Sequence, residues 1–142
     1  TSRRVYEEWM PIRGNADPIY RTKRFGDLVD LIMIDTRIEG RDEQINDVTN
    51  PALYAPGRTL LGTTQREWLF NELKTSKARW KVIGNQVIFS EFNVGWAAAA
   101  APNLGTPEQL ESIFLDIWDG YPAERQRVID FISGNNIDNV VI

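Results

Sequence analysis

Residues Leu28-Val29-Asp30-Leu31-Ile32-Met33-Ile34 are apolar at every position but Asp30, the pattern of a central strand covered on both faces. The run before it, Ile19-Tyr20-Arg21-Thr22-Lys23-Arg24-Phe25, alternates in character and predicts a strand, with Gly26-Asp27 as the hairpin turn joining the two. Upstream, Tyr6 to Arg13 reads as the end of a helix stopped near Pro11, and Gly14 to Pro18 as a turn. Downstream, Leu69, Phe70 and Leu73 make one apolar helical face with Trp68 at its edge. Thr64, with Glu67 three residues on, predicts a capping box at the start of that helix.

Trp80 to Phe89 predicts a further strand, interrupted at its middle by Gly84-Asn85-Gln86. Pro122 opens the last helix at a position where its missing N–H costs nothing. In that helix Val128, Ile129 and Ile132 are expected to face the core, and Gly134-Asn135 to end it in the left-handed conformation. Ile137 to Ile142 is the final strand. Two polar stretches separate these elements: Glu39 to Gly62, a long loop with one short turn of helix, and Phe92 to Thr106, an insertion loop containing Ala97 to Ala101 beside Trp96. The order strand, strand, helix, strand, helix, strand predicts an α/β sheet built from both hairpin and crossover connections. The chain's last residues fall within what reads as a buried strand. The loop at that strand's carboxyl end, where open α/β sheets bind ligands, is therefore expected beyond Ile142, in a larger enzyme of which this chain is a piece.

Composition narrows the chemistry mainly by what it lacks. The 142 residues contain no cysteine and no histidine. A Ser-His-Asp or Cys-His constellation cannot be assembled from them, nor a zinc site of the usual ligands. Oxygen-ligand metals need clustered carboxylates, and the richest acidic run, Glu39 to Asp47, lacks the spacing of a calcium loop and reads as solvated surface. A formal net charge of -4, with Arg21, Lys23 and Arg24 diluted by nearby aspartates, gives no evident surface for nucleic-acid phosphates. No window approaches the length of a membrane span, and no targeting segment is present in the chain.

Three groups carry candidate chemistry. Asp35 and Arg37 stand at the carboxyl end of the apolar strand, where they either point into a cleft, the arginine holding phosphate oxygens, or cap the strand and pair with loop groups. Asn85 and Gln86 interrupt an apolar strand. Their amides pair with neighbouring backbone, or one of them faces a site; strand alternation allows only one. In Trp118-Asp119-Gly120-Tyr121, Asp119 is placed to cap the last helix, while Trp118 and Tyr121 pack as a lid or wall a substrate pocket.

The segments Gly26 to Arg37, Leu61-Gly62-Thr63-Thr64-Gln65-Arg66-Glu67-Trp68-Leu69, Trp80-Lys81-Val82-Ile83-Gly84-Asn85-Gln86-Val87 and Trp118-Asp119-Gly120-Tyr121-Pro122-Ala123-Glu124-Arg125, preceded by Tyr6 to Arg13, occur in one collinear order. That order resembles the PhoD family of alkaline phosphatases and phosphodiesterases, within the calcineurin-like metallophosphoesterases. The resemblance implies a β-sandwich of two mixed sheets with outer helices, in α/β/β/α layers, of which residues 1–142 would be a central to C-terminal part truncated at both ends. It implies hydrolysis of phosphate monoesters and diesters at a metal centre, commonly iron with calcium, in secreted or periplasmic enzymes. Metal-binding motifs would lie before Thr1 and after Ile142, so that this chain binds no metal itself and is inactive alone. Amides at Asn85 and Gln86 stand where the wider superfamily carries a metal-binding histidine.

Carried over by position, Asp35 and Arg37 would lie at the cleft edge, Asn85 or Gln86 beside the metal centre, and Trp118, Asp119 and Tyr121 along the substrate; no residue receives a catalytic role. The expected partners are a phosphate ester and the remainder of the domain. Two further readings are open: a non-catalytic α/β binding module that retains the scaffold, and a self-sufficient enzyme with an oxygen-only magnesium site from Asp35 and Asp119.

Overall fold

The structure is a computed structural model and describes residues 2–10 and 18–142. Helix α1 (Ser2–Trp9) matches the expected N-terminal helix; the expected stop at Pro11 and the turn over 14–17 lie outside the described residues. Strands β1 (Arg21–Phe25), β2 (Val29–Met33), β3 (Trp80–Gly84) and β4 (Val140–Val141) form one mixed sheet in the order β1-β2-β3-β4. The β1–β2 hairpin is antiparallel across the turn at Gly26-Asp27 and pairs Thr22 with Ile32. β2–β3 and β3–β4 are parallel, with Ile32 opposite Ile83 and Val82 opposite Val141.

Parallel neighbours require crossovers, and helices α2 (Gly62–Thr75) and α5 (Pro122–Gly134) supply them. Leu69 and Leu73 of α2 and Val128 of α5 pack with Ile32, Ile34 and Ile83 in a core that also holds Leu60, Leu61, Trp118 and Tyr121. Each such fully buried aliphatic contributes about 1.5–3 kcal/mol. The rings of Phe70 and Phe131 stack at 3.9 Å between the two helices. The opposite sheet face is open by comparison: Val29, Leu31, Met33 and Val82 are half-buried, and Phe25 and Trp80 are exposed. The described residues thus make one helical layer and one mixed sheet, the α/β arrangement expected.

Several expected details differ. The α2 N-cap is Leu61 and no side chain caps the helix, so Thr64 and Glu67 lie inside it rather than forming a capping box; Gly62 N–H is taken instead by Thr59 Oγ1. The capping box falls at Thr106 and Gln109, where Thr106 precedes the proline that opens α4 (Pro107–Ser112). β3 ends at Gly84, before the polar pair, because the backbone leaves the sheet there. Ile129 is 42% exposed; the inward side of α5 is filled by Phe131 and Ile132 beside Val128. Gly134 is still helical, and the left-handed residue after α5 is Asn136 at φ 51°. The insertion loop contains helix α3 (Ala97–Ala100) and a 3-10 turn at Pro102–Leu104.

The loop from Glu39 to Gly62 is built inward, around the expected helical turn, here a 3-10 turn at Pro51–Tyr54. Asp42 and Thr59 face each other: Asp42 N–H donates to Thr59 O at 3.0 Å, and Thr59 N–H to the Asp42 carboxylate at 2.9 Å. Leu53, Arg58, Leu60 and Leu61 are buried. Among the described residues no helix is long and apolar enough to cross a membrane.

Candidate functional site

The carboxyl ends of the parallel strands β2 and β3 lie side by side, the position at which α/β sheets expose their loops to ligands. The chain leaves β2 through Ile34, Asp35, Thr36 and Arg37. Asp35 is 1% exposed, and its carboxylate closes the turn that follows: Oδ2 accepts from Ile38 N–H at 2.8 Å and Glu39 N–H at 2.6 Å, and Oδ1 from Arg37 N–H at 3.3 Å. Three donors account for its burial, since an unpaired carboxylate there would be prohibitive. The Asp35 backbone is held by Gln65 of α2, whose Oε1 accepts from Asp35 N–H at 2.6 Å and whose Nε2 donates to Asp35 O at 2.8 Å.

Thr36 faces β3. Its N–H and its hydroxyl donate to Gln86 Oε1 at 2.6 and 2.9 Å. Asn85 turns the other way: Oδ1 accepts from Trp118 Nε1 at 3.2 Å and Nδ2 donates to Val87 O at 2.6 Å. Because β3 has already ended, alternation does not separate the two amides; each ties β3 to a different segment. Trp118 is buried, with its ring edge-on to Phe89 at 4.8 Å. An open groove of about 740 Å³ runs along this edge, lined by Ile83, Asn85, Gln86, Val87, Ile88, Phe89, Ser90, Ile117 and Ile142.

The remaining expected residues sit around this edge. Arg37 is half-exposed, with Nη1 3.2 Å from Asp116 Oδ2. Asp119 does not cap α5, whose N-cap Tyr121 makes no side-chain cap bond; its carboxylate accepts from Phe92 N–H at 2.8 Å and from Arg125. Tyr121 is wholly buried. Its hydroxyl donates to Asp42 O at 2.8 Å, and the guanidinium groups of Arg41 and Arg58 lie over its ring at 5.0 and 4.4 Å. Burial pushes the Tyr121 phenol above its ordinary 10, and the two arginine charges pull it back only in part. The Thr36–Gln86 and Asn85–Trp118 bonds therefore tie the turn that Asp35 closes, the segment after β3 and the Trp118 turn together, with Arg37 half-exposed, Tyr121 buried and Asp119 bonded to the insertion loop.

Four residues outside those candidates hold the edge in place. Gln65 shares the buried α2 face with Leu69 and Leu73 at four-residue spacing, a pattern visible in the chain. Arg41 and Arg58 hold backbone carbonyls from distant segments: Arg41 those of Thr36 and Asp116, Arg58 those of Gly120 and Glu43. Glu124 has no exposed surface and receives Thr59 Oγ1 at 2.8 Å, Arg66 at 3.0 Å and Arg127. Nothing in local spacing distinguishes these three charges from surface charge.

The carboxylates do not fit a metal ion. Those of Asp35 and Asp119 are occupied by internal donors, and among the described residues no three His, Cys, Asp or Glu side chains gather closely enough to hold a cation.

Comparison with known proteins gives a consistent family. The model of the PhoD-like phosphatase family matches residues 1–142. Alkaline phosphatase D of Bacillus subtilis (strain 168) is 37% identical over 147 residues, covering 97% of this chain and 23% of the relative. A solved structure titled "Structure of PhoD" superposes with a TM-score of 0.74 at 34% identity, over 98% of this chain and 26% of that one. The chain thus spans about a quarter of the length of the relatives it matches. The family model spans residues 1–142 and the fold agrees over 98% of the chain, which belongs to the PhoD-like phosphatase family.

Proposed function

We propose that this chain supplies one wall of the catalytic cleft of a metal-dependent phosphoric ester hydrolase, acting on monoesters and diesters, and that the metal ligands are contributed by sequence outside it. The observation that carries the reading is the 37% identity to alkaline phosphatase D across 97% of the chain. The geometry adds support. The carboxyl edge of β2 and β3 bears polar side chains beside an open groove, and Arg37, half-exposed on the turn that leaves β2, has the charge and fork geometry that phosphate oxygens require.

On this reading Asp35, Asn85 and Trp118 shape the wall, Gln86 and Arg37 present hydrogen-bond donors toward substrate, and Asp119 and Tyr121 support the loops behind them. Asp35 and Asp119 are structural acceptors. Iron and calcium belong to the intact enzyme, which works in a secreted or periplasmic setting, and the 142 residues by themselves do not turn over substrate.

The test exchanges the matched segment of the Bacillus subtilis enzyme for this chain. The chimera is expected to hydrolyse a chromogenic phosphate ester with iron and calcium supplied, and the isolated chain is expected not to. Turnover by the isolated chain would refute the external placement of the ligands. A folded chimera without activity, judged against the folded and active parent, would refute the shared role of the segment.

A further inference from the structure

We propose that Arg41 is a positioning residue that straps the two halves of the cleft edge together, an inference that rests on the phosphoesterase reading above. The stretch around it reads as solvated loop, yet its guanidinium is committed inward. Nη1 donates to Thr36 O at 3.0 Å and to Asp116 O at 3.1 Å, and Nη2 donates to the same Asp116 carbonyl at 3.1 Å. Its Cζ lies over the Tyr121 ring, 5.0 Å from the centroid. The backbone carbonyl of the next residue, Asp42, accepts the Tyr121 hydroxyl.

The two carbonyls belong to segments 80 residues apart in the chain. Thr36 lies between Asp35 and Arg37, on the turn that leaves β2. Asp116 lies two residues before Trp118, and its carboxylate pairs with Arg37. Arg41 therefore bridges the β2 edge and the Trp118 turn through their backbones, beside the half-exposed Arg37–Asp116 pair that joins the same two segments. The chemistry demands arginine: a planar fork can serve two carbonyls while its face stacks on a ring, and a lysine ammonium keeps the charge but not the fork. The core that stabilises the chain extends well beyond the Tyr121 ring that Arg41 covers, to Leu69, Leu73, Val128 and Ile83. Loss of Arg41 then loosens the edge without unfolding the chain, and misplacement of about 1 Å at a reacting centre costs on the order of a hundredfold in rate.

The test has two arms. In the 142-residue chain, amide hydrogen exchange is compared for R41Q, R41K and a control, R4Q, which alters an exposed arginine paired with Glu8. R41Q is expected to accelerate exchange at residues 36–39 and 116–118 together, about tenfold, while α2 and α5 stay protected; R41K is expected to fall between, and R4Q to match wild type. Acceleration at only one segment, or equally throughout the chain, would overturn the strap.

In the chimera with Bacillus subtilis alkaline phosphatase D, R41Q is expected to lower kcat about tenfold or more with KM changed less than about twofold, and R41K to recover part of it. Unchanged kcat would overturn the positioning role. If the unsubstituted chimera is inactive, the phosphoesterase reading fails, while the exchange arm still decides whether the strap exists.

Discussion

Gly40 and Gly62 cross backbone against backbone: a Cβ on Gly40 would stand 2.7 Å from the Gly62 Cα, and one on Gly62 would stand 2.8 Å from the Gly40 Cα. Both are left-handed, at φ +68° and +71°. The crossing seats the turn closed by Asp35 against the first residue of α2, so the long loop begins and ends at one point. Alanine at either position adds a backbone clash to the conformational cost. Gly40→Ala and Gly62→Ala are expected to destabilise the chain by about 2–4 kcal/mol each, combining the left-handed penalty with overpacking. Gly26→Ala is the control: its φ is also positive, but nothing lies within 4 Å of the added atom, so about 1–2 kcal/mol is expected. Urea unfolding of the three variants checks the difference.

The Gln65 side chain bonds both backbone groups of Asp35. Gln65→Leu keeps the volume and leaves a buried N–H and C=O without partners, an expected loss of about 2–3 kcal/mol. Gln65→Glu retains an acceptor for Asp35 N–H but no donor for Asp35 O, and it buries a charge. It is expected to be at least as unstable at neutral pH and to recover on acidification as the carboxyl gains a proton. Thermal melts at neutral and acidic pH distinguish the two variants.

How much of this was legible in the chain varies by the range of the interaction. The apolar run of β2, the hairpin at Gly26-Asp27, the α2 face at Leu69 and Leu73, and the start of α5 at Pro122 follow from periodicity and local turn chemistry, and the structure has them. The end of β3 at Gly84 was not legible, because Asn85-Gln86 sits among apolar residues that continue a strand-like pattern. The partners of Asn85 and Gln86 are Trp118 and Thr36, 33 and 50 positions away. Glu124, Arg41 and Arg58 look like surface charge in sequence and are drawn inward by segments 58 to 80 residues distant. Gln65 alone gave a signal, its four-residue spacing to Leu69 and Leu73.

Glu124 joins α5 to α2 and to the loop at Thr59 with no exposed surface of its own. Glu124→Gln keeps the shape and removes the charge that holds Arg66 and Arg127. Those arginines are 19% and 30% exposed, so water can take up part of their charge. The expected cost is about 3 kcal/mol, the low end for breaking a buried pair. Because exposed pairs contribute little, Arg4→Gln, which removes the exposed α1 pair with Glu8, is expected to change stability by less than about 0.5 kcal/mol. Chemical denaturation of the two variants compares them directly.

Tyr121 gives the chain a dependence on alkaline pH. Its phenol is raised above the ordinary 10, first because it is buried and further because Asp42 is near, while Arg41 and Arg58 oppose the shift. Below pH 10 both states keep the proton; above it the unfolded chain releases its proton first, and that release favours unfolding. The stability is therefore fully present below pH 10 and falls as the pH rises from 10 through the folded value. Absorbance at 295 nm is expected to show an ionisation above 10 that Tyr121→Phe removes. The same substitution deletes the bond to Asp42 O, so Tyr121→Phe should be less stable than wild type near pH 7, by about 1 kcal/mol. The gap should narrow above pH 10, since only the wild type loses stability through this phenol. A gap that widened with rising pH would mean that the ionised phenolate is the better folded form, with the arginine charges outweighing burial.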